Sequence, residues 1–441
     1  MTSLVERGRK VVRKALRKVF PGHWSFLFGE IAMFSFLVLV TTGLYLALFY
    51  DASAETVPYN GSYDPLEGVA VSRAFHSVMD ITFERPLGSV VRQTHHWAAL
   101  VFVAALVLHA ARVFFTGAFR RPRRLNWMIG VTLMGLAMAT GFFGFVLPHD
   151  LLGGTSARIG HAFAVSVPVI GPGVADLLFA GPFGNSQMLH RMWLLHVIVL
   201  PILLALLLVG HLVLVWLQTH TATRGADGDE DIVEGSAAWP AYLFKAGGLL
   251  FMVLGVLVGF GALVQIAPVW IHGPFDPAST TVPAQPDWYL GWVEGALRIF
   301  PSLDLTVLGR TIPSPFMAGV AFPVAVFGVL YAWPFVESWM TGDTARHHVL
   351  DRPRHRPVRT ALGATGLALL TVLLMAGSHD WQGFLLRTPI EVMTTAYRIA
   401  MAVIPAGVGF LTYSVCRSLA AEEARTPLDS EHGRGVSGSP R

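Results

Sequence analysis

Eight long apolar runs alternate with polar segments along the 441-residue chain. A bilayer core about 30 Å thick is spanned by about 20 apolar residues in a helix, and each run has about that length. The pattern therefore predicts an all-α polytopic membrane protein with eight transmembrane helices. The runs are residues 26–49, 97–115, 127–147, 192–217, 246–267, 316–335, 360–378 and 393–416, and the second is expected to begin earlier, near Ser89.

Polar segments divide this pattern into a four-helix bundle and a C-terminal helical part. Two further apolar stretches, 165–183 and 269–275, are broken by Pro and Gly, so we expect loop or interfacial segments there. The predicted parts are a basic N-terminal segment 1–25, the bundle 26–217, an acidic linker 218–245, helices 246–416 with a long loop between the fifth and sixth runs, and a polar tail 417–441.

Composition supports a membrane location. Apolar residues make up 53%, charged residues 14%, and the mean hydropathy is +0.55, whereas a soluble chain carries about 25% charged residues. Disorder is excluded because disordered chains are rich in charge and poor in aromatic residues. The one cysteine, Cys416, excludes a disulfide framework and a thiolate-held iron–sulfur cluster within this chain.

Basic residues are unevenly distributed among the loops, and this bias predicts orientation. They crowd residues 7–18, the second loop at 120–124 and the sixth loop at 346–359. We therefore expect both termini on the cytoplasmic side. The acidic residues within 227–231 argue little either way. The N-terminal segment is either an amphipathic helix on the inner membrane face or a solvated basic tail.

Histidines inside the second and fourth runs are the strongest chemical signal. His95 and His109 are 14 residues apart, about 21 Å along a helix and about 40° from eclipsed. His196 and His211 are 15 apart, about 22 Å and about 60° from eclipsed. Two facing imidazoles at each of two depths suit two stacked six-coordinate haems. His96 competes with His95 but is about 140° round the helix from His109; the alternative for all of them is buried histidines hydrogen-bonded across helices.

Glycines repeat the histidine interval in the first and third runs. Gly29 and Gly43 are 14 apart, as are Gly130 and Gly144. A haem wedged in a four-helix bundle needs the non-ligating helices to approach closely, which glycine permits. Ordinary packing of small residues between helices is the alternative.

Three arginines lie near the histidines at the predicted membrane faces. They are Arg92, Arg112 and Arg191. Arginine pairs well with carboxylates, so these residues are candidates for binding haem propionates. Interfacial snorkelling is the alternative and stays open for Arg112.

The loop between the fifth and sixth runs contains Gln285–Pro286–Asp287–Trp288–Tyr289. In isolation this motif would be an interfacial aromatic anchor beside a helix N-terminus. Together with the histidine and glycine quartets, it makes the chain resemble cytochrome b of the quinol–cytochrome c reductase family (the cytochrome bc complex), specifically its actinobacterial menaquinol branch. The resemblance covers residues 16–416, and segments 92–125, 147–158 and 341–359 also look like that branch.

The resemblance implies two non-covalent b-type haems. His95 and His196 would ligate the low-potential haem on the outer side, and His109 and His211 the high-potential haem on the inner side. It also implies that quinol is oxidised on the outer side at the fifth loop.

Site roles in that loop follow from the same resemblance. Asp287 would be the proton acceptor, Tyr289 would position the quinol by a hydrogen bond, and Pro286 and Trp288 would shape the pocket.

His220, beyond the inner end of the fourth run, is either a proton donor to an inner-side quinone or a solvated loop histidine.

The chain departs from the family pattern at three positions. Asp287 replaces the usual glutamate of Pro-Glu-Trp-Tyr, so a shorter side chain must reach the quinol or a water. The 15-residue interval matches chloroplast-type members, whereas mitochondrial members use 14. His149 stands where many members carry Trp or Asp, and it either titrates near the quinol pocket or has a plain surface role.

The resemblance implies that partners complete the reaction. One electron would pass to a Rieske iron–sulfur protein and the other through both haems to an inner-side quinone, with menaquinone as the expected quinone and with proton translocation. A cytochrome c subunit, a second copy in a homodimer and membrane lipid are expected partners, a nucleic acid is not, and the expected location is a bacterial cell membrane.

Three alternatives compete with this interpretation. A transporter would account for many glycines and intramembrane histidines, although no repeated half is visible. A di-haem anchor of another membrane dehydrogenase would leave the last three helices and the 286–289 motif unexplained. A degenerate paralogue would keep haem but not turnover.

Overall fold

The computed structural model describes residues 6, 13, 16–222, 235–279, 285–307 and 309–425. Within them, eight helices are long and apolar enough to cross a membrane, so the predicted all-α polytopic fold is confirmed. The acidic stretch 227–231 lies outside the described residues, as do most residues before 16 and the tail from 426. The spans are Trp24–Ala47, Gly88–Phe115, Arg124–Val146, Met188–Gln218, Ala238–Leu263, Ser314–Thr341, Pro357–Ala376 and Ile390–Glu423.

Fourteen α-helices are numbered here in chain order within the described residues. They are α1 (Leu27–Ala47), α2 (Arg73–Phe83), α3 (Gly88–Phe115), α4 (Arg124–Val146), α5 (Leu151–Ser166), α6 (Gly171–Phe179), α7 (Met188–Gln218), α8 (Ala238–Leu263), α9 (Val269–His272), α10 (Trp288–Ile299), α11 (Ser314–Thr341), α12 (Pro357–Ala376), α13 (His379–Leu386) and α14 (Ile390–Arg425). Short 3₁₀ turns occur at Trp24–Phe26, Asp64–Leu66 and Pro353–His355. Segments of π-helix occur within α7, α8 and α11 at Leu194–Val199, Ala238–Tyr242 and Met317–Ala321.

Short strands form three antiparallel two-stranded ribbons in the loops. β1 (Val19–Pro21) pairs with β4 (Gly235–Ala237), β2 (Thr56–Pro58) with β3 (Ala70–Ser72), and β5 (Leu305–Val307) with β6 (Arg310–Ile312). The β1–β4 ribbon joins the chain just before α1 to the chain just before α8.

Helix packing divides the spans into two groups. In the first, α1 packs on α3 and α4 packs on α7, while α8 lies against α1 and α3. In the second, α12 packs on α10 and α14, and α11 lies against α4. Large apolar side chains such as Leu206, Phe251 and Phe410 remain exposed on the spans, as expected for surfaces that face lipid rather than water.

The two interrupted apolar stretches are more helical than the sequence predicts. Residues 165–183 contain α6, and 269–275 contain α9. Their Pro and Gly residues stand at helix ends rather than breaking the helices. Pro172 lies in the first turn of α6, and Gly273, with φ 75°, follows α9, which are the positions that these residues favour. Together with α5, these helices cover one end of the bundle.

Candidate functional site

The four intramembrane histidines lie in two pairs. The ring centroids of His95 on α3 and His196 on α7 are 6.1 Å apart, and those of His109 and His211 are 6.3 Å apart. A ring nitrogen lies about 1.1 Å from its centroid and a metal–imidazole bond is about 2.0–2.1 Å, so two imidazoles on opposite sides of one metal place their centroids about 6 Å apart. Each pair has the spacing of two axial ligands of one iron.

Hydrogen bonds orient both rings of the His95–His196 pair. Nδ1 of His95 lies 2.9 Å from Oγ1 of Thr42, whose hydroxyl donates to the Val38 carbonyl and therefore accepts from the ring. Nδ1 of His196 donates to the Thr140 carbonyl at 2.8 Å. Because Nδ1 carries the ring proton in both bonds, Nε2 of each histidine is unprotonated. It is directed away from the helix that accepts the Nδ1 hydrogen bond, as is usual for metal-ligating histidines.

A π-helical segment explains the unequal histidine intervals. His196 lies within Leu194–Val199, where the chain takes one more residue per turn than an α-helix. Pro201 follows at once and lacks the N–H that would continue a regular α-helical ladder. The additional residue lets an interval of 15 on α7 match the 14 on α3. Sequence periodicity alone missed this adjustment.

Each glycine of the quartet faces one histidine ring. A Cβ at Gly29 would lie 3.1 Å from His109, at Gly43 3.2 Å from His95, at Gly130 3.6 Å from His211, and at Gly144 2.8 Å from Nδ1 of His196. The contacts at three of these positions are closer than ordinary van der Waals separation, so a side chain there would push on the imidazole.

The three arginines differ in what they bind. Arg92 and Arg112 are half-buried, and the Nε and Nη2 atoms of each are buried with no hydrogen-bond partner among the described residues. The Nη1 atom of Arg92 donates to the Ala267 carbonyl at 3.4 Å. Buried guanidinium nitrogens without an acceptor are costly, so the remaining nitrogens of these two arginines fit acidic groups such as haem propionates. Arg191 instead donates to the carbonyls of Leu177 and Asp176 near the end of α6.

One kind of ligand would account for the ring spacing, the glycine contacts and the unpartnered Nε and Nη2 atoms of the two arginines. Two flat, dianionic metal macrocycles between α1, α3, α4 and α7 would each be held by one pair of imidazoles, and Arg92 and Arg112, toward opposite ends of α3, would bind their carboxylates. The residues present therefore fit two haems.

The Asp287 carboxylate lies at the end of the bundle that holds His95 and His196. Its Oδ1 is 2.8 Å from Nε2 of His96, and its Oδ2 accepts a hydrogen bond from the Tyr289 hydroxyl at 3.1 Å. Asp287 precedes α10 but makes no capping bond, so the motif is not simply a helix cap. His96, which points away from the other histidines, was missed as a site residue because its partner is 191 positions away.

A single apolar cavity of about 270 Å³ connects these groups. Its lining includes the His95–His196 pair as well as Asp287 and Tyr289. Tyr289 is only 1% exposed, and burial raises the pKa of its phenol, so it remains a hydrogen-bond donor at neutral pH. Ligand cavities are commonly apolar with a few convergent polar groups.

Two polar residues that the sequence did not single out also line this cavity. Asp150 caps α5 by accepting from the Gly153 amide at 2.9 Å and lies 2.8 Å from Nδ1 of His272. Asp150 lies in the 147–158 segment directly before α5. Its position at the start of a helix was the sequence signal that could have identified it.

Other predicted residues lie outside the cavity lining. Trp288 is exposed at 38%, and Pro286 does not line the cavity. His149 is half-buried, with Nδ1 2.9 Å from Oγ of Ser72, and burial lowers its pKa to about 4. His149 is therefore not a plain surface residue, and it is neutral at physiological pH.

His220 lies at the opposite end of the bundle, where the spans end near the basic loops. Its ring packs 4.8 Å from that of Phe20, and burial followed by the nearby cations lowers its pKa to about 4. His220 is therefore not a freely solvated loop histidine.

Comparison with known proteins decides the family. The family model described as Cytochrome b(N-terminal)/b6/petB matches residues 100–274. A cytochrome bc1 complex cytochrome b subunit of Mycobacterium bovis is 45% identical over 423 residues, which cover 96% of this chain and 76% of that protein. This chain belongs to the cytochrome b subunits of cytochrome bc1 complexes.

Other relatives of this cytochrome b agree. Subunits of the same description from Streptomyces coelicolor and Corynebacterium diphtheriae are 41% and 40% identical, covering 95% and 96% of this chain and 76% and 77% of theirs. A solved chain titled Hyperthermophilic respiratory Complex III shares the fold, with a TM-score of 0.68 at 21% identity over 92% of this chain and 97% of that chain. The predicted resemblance and the prediction of an oxidoreductase subunit are confirmed, and the transporter and dehydrogenase-anchor alternatives are excluded.

Proposed function

We propose that this cytochrome b oxidises a quinol, with menaquinol as the expected substrate, at the end of the bundle that holds His95 and His196. One electron leaves to a Rieske iron–sulfur protein. For the other electron, His95–His196 and His109–His211 would each hold one b haem, which would supply one-electron transfer toward a quinone at the opposite end. Protons are released at the first end and taken up at the second, which couples the reaction to proton translocation.

The observation that supports this proposal most directly is the shared cavity. The same apolar space reaches the His95–His196 pair and the Asp287–Tyr289 pair. A quinol ring there would have a carboxylate for its proton and an electron-accepting cofactor on the adjoining wall. Bound between its histidines, each b haem supplies reversible one-electron transfer.

Asp287 is the proposed proton acceptor. A general base must lie within hydrogen-bond reach of the proton it takes, and Asp287 faces the cavity. Its two oxygens are already held by His96 and Tyr289, so the carboxylate is oriented before substrate binds. Tyr289 would exchange its bond to Asp287 for one to the quinol oxygen.

Partner subunits follow from what this chain lacks. Its one cysteine cannot hold an iron–sulfur cluster, so the first electron needs a Rieske protein and then a cytochrome c subunit. The exposed apolar span surfaces face lipid, and a homodimer of the complex would cover part of them.

Orientation in a bacterial cell membrane follows from the basic loops. Arg120, Arg121 and Arg123 bond to backbone carbonyls of residues 344–349, so the two arginine-rich loops meet at the end where His220 lies. Such loops favour the cytoplasmic side. The His95–His196 pair then lies toward the outer side, and both termini are cytoplasmic.

The test is a redox-titrated reduced-minus-oxidised spectrum of the purified complex, combined with quinol oxidation, for wild type, Asp287→Asn and His96→Gln. We expect two b haems in all three and a loss of quinol oxidation of about 10²-fold or more in Asp287→Asn. His96→Gln should show a smaller loss, because it removes only the group that orients the carboxylate. Asp276→Asn, which changes an exposed carboxylate elsewhere in the same loop, is the matched control.

Three results would contradict the proposal. Absence of haem in the wild type would remove the electron path. Two haems with full activity in Asp287→Asn would remove the proton acceptor. Two haems without quinol oxidation in the wild-type complex would favour a degenerate paralogue.

A further inference from the structure

A group of polar and aromatic side chains lies near the His109–His211 pair, apart from the cavity described above. Glu30 on α1 accepts a hydrogen bond from the Tyr242 hydroxyl on α8, with 3.0 Å between the oxygens. Both residues are half-buried. The ion pairs formed among described residues do not include Glu30. Ionisable groups within membrane spans are costly and are usually retained for function.

The position of Glu30 along α1 places it at the depth of a proposed haem. Its neighbour Gly29 faces His109, because a Cβ there would lie 3.1 Å from the imidazole. Glu30 points to a different side, toward α8 and Tyr242. A carboxyl group thus lies beside the proposed route of electrons without contacting either histidine of the pair.

Aromatic rings connect this carboxyl group with His220. The Tyr242 ring is stacked on Phe20, with centroids 4.0 Å apart and planes 9° from parallel. Phe20 also packs against His220 at 4.8 Å, and the β1–β4 ribbon holds Phe20 opposite Ser236. Two flat rings and two hydrogen-bonding groups therefore converge on one small region.

Arg112 extends the same region toward the His109–His211 pair. Its guanidinium lies 3.9 Å from the centroid of Phe26, and the Phe26 ring is 6.5 Å from that of His220. We call Phe20, Phe26, Glu30, Arg112, His220 and Tyr242 the His220 cluster. It combines flat apolar walls with a phenol, an imidazole and a carboxyl group, which suits a quinone ring with two carbonyl oxygens.

Charges around His220 limit what that residue can do. Lys18, Arg112 and Arg123 surround it, and burial together with these cations lowers its pKa to about 4. At neutral pH His220 is an uncharged imidazole that can donate a hydrogen bond to a carbonyl. It is a poor source of protons, because an imidazolium is disfavoured there. Reduction of a quinone consumes two protons, so the cluster needs another acid.

We propose that Glu30, acting through the Tyr242 hydroxyl, donates a proton to a quinone bound in the His220 cluster. When the Glu30 carboxyl group is protonated, the hydrogen bond between the two residues reverses: the Tyr242 hydroxyl gives its own proton to one quinone oxygen and receives the proton of the Glu30 carboxyl group, which is then recharged from water. The second oxygen accepts a hydrogen bond from His220 and takes its proton from water. Two electrons, arriving one at a time by the route proposed above, balance the two protons and convert the quinone to quinol.

This inference rests on the proposed function, and the experiment separates the two. The purified complex is prepared as wild type, Glu30→Gln, Glu30→Asp and Tyr242→Phe. Its haems are reduced, and their oxidation by a short-chain naphthoquinone is followed by stopped-flow absorbance. Reduction of the haems by the corresponding naphthoquinol measures the Asp287 site in the same preparations. Tyr45→Phe removes a hydroxyl at the other end of α1, where Tyr45 bonds to the Pro86 carbonyl, and is the matched control.

We expect Glu30→Gln to slow haem oxidation by naphthoquinone about 10²-fold, the range for loss of one general acid. Tyr242→Phe should slow it similarly, and Glu30→Asp should restore part of the rate. Naphthoquinol oxidation in the first turnover should be unchanged in all variants. In the infrared difference spectrum of quinone reduction, a carboxyl band should disappear in Glu30→Gln and shift in Glu30→Asp.

Several outcomes would overturn the inference. Wild-type rates in Glu30→Gln and Tyr242→Phe, or an unchanged carboxyl band in Glu30→Gln, would exclude Glu30 as the acid. If Glu30→Gln fails to retain haem, Tyr242→Phe and Glu30→Asp decide by the same rates. If wild type itself shows no haem oxidation by naphthoquinone, the inner-side reaction of the proposed function fails, and this inference fails with it.

Discussion

Replacing Gly144 by alanine should remove one haem selectively. The added Cβ would lie 2.8 Å from Nδ1 of His196, whereas ordinary contact begins at 3.4 Å. The ring would have to retreat by more than about 0.6 Å, the difference between these distances, because its Cε1 atom lies still nearer to the added Cβ. It cannot do so freely, because Nδ1 is held by the Thr140 carbonyl at 2.8 Å. Moving the ring weakens that bond and displaces Nε2, the proposed ligand atom.

The expected cost can be estimated from these contacts. Overpacking costs about 1–3 kcal/mol, and weakening one hydrogen bond adds about 0.5–1.5 kcal/mol. A total of about 1.5–4.5 kcal/mol corresponds to roughly 10- to 1,600-fold weaker retention of the haem at that end, since about 1.4 kcal/mol is tenfold. The Gly130→Ala variant is the matched control, because its Cβ would meet His211 at an ordinary 3.6 Å.

The assay is haem content per purified chain together with a redox titration. We expect one haem in Gly144→Ala, with the His109–His211 signal retained, and two haems in Gly130→Ala. Both changes raise helix propensity equally, so this effect cancels. Two haems with unchanged potentials in Gly144→Ala, or loss of a haem in Gly130→Ala, would refute the reasoning.

Two further predictions follow from the hydrogen bonds. Thr42→Val removes the acceptor of the His95 Nδ1 proton, and losing this hydrogen bond lowers the basicity of the imidazole. In a redox titration, the potential of the haem held by His95 should therefore rise while that of the other haem stays constant. Equal shifts of both potentials would contradict this. Folding lowers the pKa of His149 from 6.5 to about 4. Between these pH values the unfolded chain binds a proton at His149 that the folded chain does not bind. The free energy of unfolding should therefore fall as pH drops from 6.5 toward 4, by about 3 kcal/mol. His149→Gln should lessen this fall in the thermal midpoint of the detergent-solubilised complex, and an unchanged pH profile would show that His149 does not cause it.

Much of the fold was predictable because the membrane imposes simple rules. A segment of sufficient length and apolarity must be a helix in lipid, so the eight spans followed from hydropathy. The histidine and glycine intervals predicted which faces meet, since the helical period relates residues within one helix. The short helices α6 and α9 were missed because the same Pro and Gly residues can interrupt a helix or terminate it.

The sequence by itself determined the eight membrane spans, the histidine and glycine quartets and the family. The tertiary structure decided which groups meet across helices. It joined His96 to Asp287 and Glu30 to Tyr242, and it used the π-helical segment around His196 to bring two unequal intervals into register. The physical reason is that periodicity describes one helix at a time. A hydrogen bond between residues about two hundred positions apart depends on how the helices pack and rotate against each other, and no local pattern records that arrangement.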